Sequence, residues 1–314
     1  MRLLSILLFL TALTAPNQSF SSESPATDLR PVLNSDATGY LLGQWFALDP
    51  TVSTQVERIE LASDEIGRRY RLEFDGEDGQ RVNGFLAMPA VTSTRDAPRV
   101  AFALHPMGTD HAIWLDRDNP IQAGLLTETL RRNGFAVLGL DARNHGERRR
   151  EHLGFRTILE YAHGDHPRPY DAMISNTLRD YRQLLHWVRT QGDLRVDGWF
   201  AMGYSMGAQM SLILAALEPG AGAVLAMVPP YVDRMYSPSA PRNHIGEITQ
   251  ASVMLMAGRD DPYSSADQTR QVFDALGTEH KQLIWFDSEH LLPESYIQKA
   301  VDFIAARAES KGRK

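Results

Sequence analysis

"GWFAMGYSMGAQMSLILAAL" spans residues 198–217. Its first part is an apolar run fit for a strand, and its second part has the composition of a buried helix. Between them lies Gly203-Tyr204-Ser205-Met206-Gly207. A strand that turns at once into a helix forces a strained backbone and crowds the chain, which accounts for glycine on both sides of the serine. The helix N-terminus then leaves free amide N–H groups beneath Ser205, and that of Met206 is a candidate donor to a developing oxyanion. A serine hydroxyl is nevertheless a poor nucleophile without a base, so the rest of the chain must supply partners.

Outward from this junction the chain alternates. "RVAFALHP" (99–106), "FAVLGLDAR" (135–143), "GAVLAMVPP" (222–230), "SVMLMAGRDD" (252–261) and "KQLIWFDSEH" (281–290) read as strands. The continuous apolar runs suit strands covered on both faces. "PIQAGLLTETLRRNG" (120–134), "DAMISNTLRDYRQLLHWVRTQG" (171–192), "DQTRQVFDALG" (267–277) and "PESYIQKAVDFIAARAES" (293–310) read as helices. "RRYRLEFDGEDGQRVNGFLAMP" (68–89) reads as two strands joined by a Gly/Asp turn, and Tyr40–Asp49 as a short helix. Alternation of this kind predicts an α/β fold, a mostly parallel sheet of about eight strands with helices on both faces. Sites in such sheets form beyond the C-terminal strand ends, so each functional residue should directly follow a strand.

Composition narrows the class. The chain has 314 residues, 43% hydrophobic and 23% charged, with a net charge of −7. This argues against a general nucleic-acid binder. Arg2, the apolar run 3–13 and the polar, small-residue stretch 14–28 have the layout of a secretory signal peptide, with cleavage near Ala15 or Ser21. The expected organisation is a signal peptide (1–21), a loose linker (22–35) and one domain (36–314). Localisation is then periplasmic or extracellular, without stable membrane insertion after cleavage, because the apolar run is too short for a comfortable span. There is no cysteine, which excludes a lipoprotein anchor, disulfides and thiolate metal sites.

Of ten histidines, His105, His145 and His290 follow strands. His152, His163 and His166 fall in an insertion, where "HGDH" (163–166) reads as loop rather than metal site. Asp260 and Asp261 follow the strand that begins at Ser252, and either is a candidate to orient an imidazole.

Taken together, these motifs resemble the α/β-hydrolase superfamily over roughly residues 68–308. Gly203–Gly207 resembles its nucleophile elbow, Gly258-Arg259-Asp260-Asp261 its acid turn, and His290 its late histidine, in the order Ser, Asp, His. The resemblance implies a Ser205–His290–Asp261 triad, with Asp260 the alternative acid. His105-Pro106-Met107-Gly108 resembles the oxyanion loop, which makes the Met107 N–H the second donor; Pro106 departs from the family's glycine there. "DARNHGER" (141–148) resembles a mainly structural segment, so His145 drops out as the base.

The hairpin at 68–89, "DARNHGERR" and the short run between "VPP" and "SVMLM" are similar to dienelactone-hydrolase-like and acetyl-xylan-esterase-like members. Residues 148–171, with Phe155, Tyr161 and Tyr170, are expected to form a short lid-like insertion. Trp114, Tyr204, Tyr231 and Leu291 neighbour the motifs and are candidate pocket residues. The resemblance implies an exported serine carboxylesterase acting on a small-molecule ester, with no metal or organic cofactor. The alternatives are a serine peptidase of the prolyl-oligopeptidase type, for which the chain lacks room for a propeller, a thioesterase or acyltransferase, and a non-catalytic binding member.

Overall fold

A computed structural model describes residues 43–49, 53–90, 97–150 and 153–309. The expected signal peptide and linker lie outside these residues, as do His152 and the first residues of the short helix expected from Tyr40; residues 43–46 are helical.

The strands are β1 (Glu57–Asp64), β2 (Gly67–Asp75), β3 (Arg81–Ala87), β4 (Arg99–Leu104), β5 (Phe135–Leu140), β6 (Arg195–Tyr204), β7 (Ala221–Met227), β8 (Ser252–Gly258) and β9 (Lys281–Phe286). The longer helices are α1 (Ala123–Arg132), α2 (Phe155–His163), α3 (Arg168–Val188), α4 (Met206–Leu217), α5 (Ala266–Ala275) and α6 (Tyr296–Glu309). The strands form one nine-stranded sheet in the order β1-β2-β3-β5-β4-β6-β7-β8-β9. Pairing from β1 to β5 is antiparallel, and from β5 through β4 to β9 it is parallel.

Side-chain alternation builds a core on each face. Val100, Phe102 and Leu104 of β4 join the apolar layer that contains α3 and α4, whereas Ala101 and Ala103 join the layer that contains α1 and α6. The period of two along a strand produces this split. Helix α4 is buried from Met206 to Ala215, which explains why its sequence is apolar all round.

The ninth strand is β1, which the sequence reading lacks. It is an edge strand whose Ile59 and Leu61 are exposed, so its alternation buries no apolar face. The insertion is also more ordered than expected. Its middle forms α2, while Tyr170 lies on α3, fully buried, and donates through its hydroxyl to Gln209 Oε1 at 2.7 Å.

Strand order reverses around β4: β5 lies on one side of it and β6 on the other. In open α/β sheets a crevice forms at such a switch point. Leu104 pairs with Gly203 across it, which sets the loop after β4 beside the turn after β6.

Candidate active site

Ser205 occupies the β6–α4 turn with φ 54° and ψ −121°. This left-handed φ is costly for a residue with a Cβ and persists only where its surroundings enforce it. The enforcement is steric. A Cβ on Gly203 would lie 2.1 Å from the Gly207 carbonyl oxygen, and one on Gly207 would lie 1.9 Å from that of Leu104. Any larger residue at either position would push β6, α4 and β4 apart. The turn is also fastened sideways, because Ser205 N–H donates to the Met227 carbonyl at 2.8 Å.

Ser205 Oγ lies 2.8 Å from His290 Nε2, and His290 Nδ1 lies 2.9 Å from Asp261 Oδ2. With a neutral imidazole protonated on Nδ1, the serine hydroxyl donates to Nε2 and Nδ1–H donates to the carboxylate. All three residues are buried. The other Asp261 oxygen accepts the Tyr263 N–H at 2.9 Å. Asp260 is exposed, and its backbone N–H is bound to Ser288. The geometry therefore joins Asp261, not Asp260, to His290.

The two expected donor amides lie in adjoining turns, after β6 and after β4. Met206 is the first residue of α4, where an N–H has no intrahelical acceptor. Met107 lies in the loop after β4. Both residues are buried, and neither N–H donates to an acceptor among the described residues. The Met107 peptide is held from its other side. The Pro106 carbonyl accepts from Thr109 Oγ1 at 2.8 Å and from His105 Nδ1–H at 2.9 Å. His105 Nε2 accepts the Ala142 N–H at 2.9 Å, which fixes the tautomer. Burial lowers the His105 pKa and keeps the ring neutral. A trans peptide points its N–H opposite its C=O, so these contacts aim the Met107 N–H away from His105.

The remaining strand-end histidine is structural. His145 is buried, donates through Nδ1 to the Arg143 carbonyl at 2.9 Å, and is driven by burial to a pKa of about 3. His111, not singled out from sequence, pairs with buried Asp141 at 2.7 Å. Burial alone would raise the Asp141 pKa, but the hydrogen bond and charge of His111 outweigh it and hold it at about 2. Behind them Asp180 accepts from both Arg143 and Arg148.

The pocket expectations divide. Trp114 is fully buried in the layer with α1 and α6, because the short helix His111–Leu115 turns its ring inward. It presents no surface to a substrate, and that expectation is corrected. Tyr204 is buried too: its hydroxyl donates to the His290 carbonyl and accepts the Leu292 N–H, each at 2.9 Å. It is a strut for the histidine loop rather than a pocket wall. The Tyr231 hydroxyl is engaged by Arg242 and Gln271. Leu291, next to His290, is exposed.

Tyr263 is a site residue that the sequence did not reveal. Its ring lies 4.7 Å from the His290 ring in edge-on geometry, and its other neighbour is His163 at the end of α2, stacked at 6.3 Å. The start of α2 meets the loop after β4, where Phe155 lies against Gly108. Nothing in "RDDPYSS" (259–265) marks Tyr263 beyond its place two residues after Asp261.

Residues 160–302 match the model of the dienelactone hydrolase family, a stretch that holds Ser205, Asp261 and His290. The structure is similar to acetyl xylan esterase 1 from Thermoanaerobacterium sp. (TM-score 0.65, 17% identity, 87% of this chain and 94% of that one). It is also similar to an acetyl xylan esterase from Paenibacillus sp. (0.64, 16%, 87% and 92%) and to a putative dienelactone hydrolase from Klebsiella pneumoniae (0.54, 12%, 82% and 100%). No curated protein matches the chain.

Proposed function

We propose that this chain, which has the α/β-hydrolase fold and resembles dienelactone-hydrolase-like and acetyl-xylan-esterase-like esterases, is an exported serine carboxylesterase. The observation that carries the reading is the unbroken hydrogen-bond chain from Ser205 Oγ through both ring nitrogens of His290 to Asp261. It begins at Ser205, whose left-handed backbone sets its hydroxyl at the end of a central strand.

In the proposed reaction Ser205 Oγ attacks the ester carbonyl carbon while its proton passes to His290 Nε2. Asp261 holds the imidazole in the productive tautomer and stabilises the imidazolium. Charge develops on the carbonyl oxygen, to which the Met107 and Met206 N–H groups donate. Such a donor is worth about 3 kcal/mol in barrier. Collapse of the tetrahedral intermediate breaks the C–O bond, and His290 gives its proton to the leaving alcohol. Water then attacks the acyl-Ser205 ester, with His290 again the base, and releases the acid.

The test is hydrolysis of short-chain p-nitrophenyl esters by the mature protein beside Ser205→Ala. Turnover abolished by the substitution is expected; turnover that survives it would refute the reading. Export is proposed on residues 1–21 alone. Cell fractionation checks it, with a mature N-terminus near Ala15 or Ser21 outside the cytoplasm as the expected result.

A further inference from the structure

We propose that Tyr263 and Leu291 form the subsite for the leaving alcohol, and that they select an uncharged alcohol with a flat apolar face. The inference rests on the ester reading. His290 Nε2 is the group that must protonate the departing oxygen, so the alcohol half of the ester has to sit beside the His290 ring. The Tyr263 ring, half-buried, lies 4.7 Å from that ring, and Leu291, the next residue in the chain, is 47% exposed. Neither carries a charge.

The Tyr263 wall is held from several directions. Its N–H donates to Asp261 Oδ1 at 2.9 Å, and its carbonyl accepts the Tyr231 N–H at 2.9 Å. His163 stacks on its ring, nearly parallel at 18°. Arg234 fixes the end of α2 that carries His163 by donating to the Gly164 carbonyl at 2.7 Å. A ring held this firmly loses little freedom when a ligand packs on it, which is the condition for useful selectivity. The acyl half lies on the other side of the reacting carbon and should not sense these residues.

That asymmetry supplies the test. Benzyl acetate and ethyl acetate give the same acetyl-enzyme and differ in the alcohol. Tyr263→Ala is expected to lower the benzyl-to-ethyl ratio of kcat/KM about tenfold. Acetyl-enzyme hydrolysis, read as the steady rate after a p-nitrophenyl acetate burst, reports what Tyr263 does for the position of His290 and should fall by less than the benzyl-to-ethyl ratio does. Leu291→Ala, at an exposed position where folding is not at stake, should shift the ratio in the same direction by less. An unchanged ratio in both variants removes the subsite. A parallel fall of both esters and of deacylation also removes it, because Tyr263 would then act only by positioning His290. A wild-type protein that takes a fluorophosphonate on Ser205 yet hydrolyses neither ester would overturn the ester reading together with the subsite.

Discussion

The described residues contain two histidine–aspartate pairs of nearly equal length, the buried His290–Asp261 at 2.9 Å and the partly exposed His111–Asp141 at 2.7 Å. Both lie just past parallel strands. They differ in what the rest of each pair is bound to. The far nitrogen of His290 meets Ser205, and Asp261 uses its second oxygen on one backbone N–H. Asp141 spreads its oxygens over the His111 ring and the N–H groups of His111 and Glu147, and the His111 ring stacks on Phe85. In the proposed reaction the first pair moves a proton, whereas the second fastens the loop after β4 to the loop after β5. A short His–Asp contact does not make a catalytic base; a nucleophile on the opposite nitrogen does.

Substitutions should separate the two pairs. The largest effect is expected from Ser205→Ala or His290→Ala, each lowering kcat for a short ester by about 10⁴-fold or more while the melting temperature barely moves. Next comes Asp261→Asn, expected to cost on the order of 10³–10⁴-fold because the imidazole loses its tautomer. Asp260→Asn should leave the rate within about twofold; the reverse order would mean that the acid has been misassigned.

Asp141→Asn should act on stability instead, lowering urea-unfolding free energy by about 3 kcal/mol by leaving buried donors and a charge without their partner. The smallest effect belongs to His111→Asn, which should cost less than about 1 kcal/mol and depend on pH. Burial opposes the charge on His111, but Asp141 outweighs it and raises the pKa above 6.5. The stabilisation is thus complete below 6.5 and is lost as pH rises through the raised value. The stability gap between wild type and His111→Asn should narrow as pH rises from below 6.5 through the raised value. A gap that widens with pH would reverse the assigned polarity.

Much of this was legible in the sequence because the relevant signals are local. Gly203 and Gly207 announce a close backbone approach, and β4 to β9 announce themselves as apolar runs with a candidate residue at the end of each. What escaped depends on contacts between distant segments. Strand β1 buries no apolar face, so its alternation carries no hydrophobic signal. Trp114 and Tyr204 sit beside motifs, which suggested a pocket, yet a short helix and two hydrogen bonds respectively direct them into the interior. Tyr263 meets His290 only through the loop after β8, and His163 reaches Tyr263 only once α2 has formed. Asp260 and Asp261 were adjacent candidates until the burial of Asp261 and its 2.9 Å contact with His290 distinguished them.

The most direct measurement is the site and rate of covalent fluorophosphonate labelling, mapped by mass spectrometry in wild type and His290→Ala. A single adduct on the peptide containing Ser205, formed at least about 100-fold more slowly without His290, is the predicted result. An adduct on another residue, or equal rates in the two proteins, would contradict the claim that Ser205 is a nucleophile activated by His290.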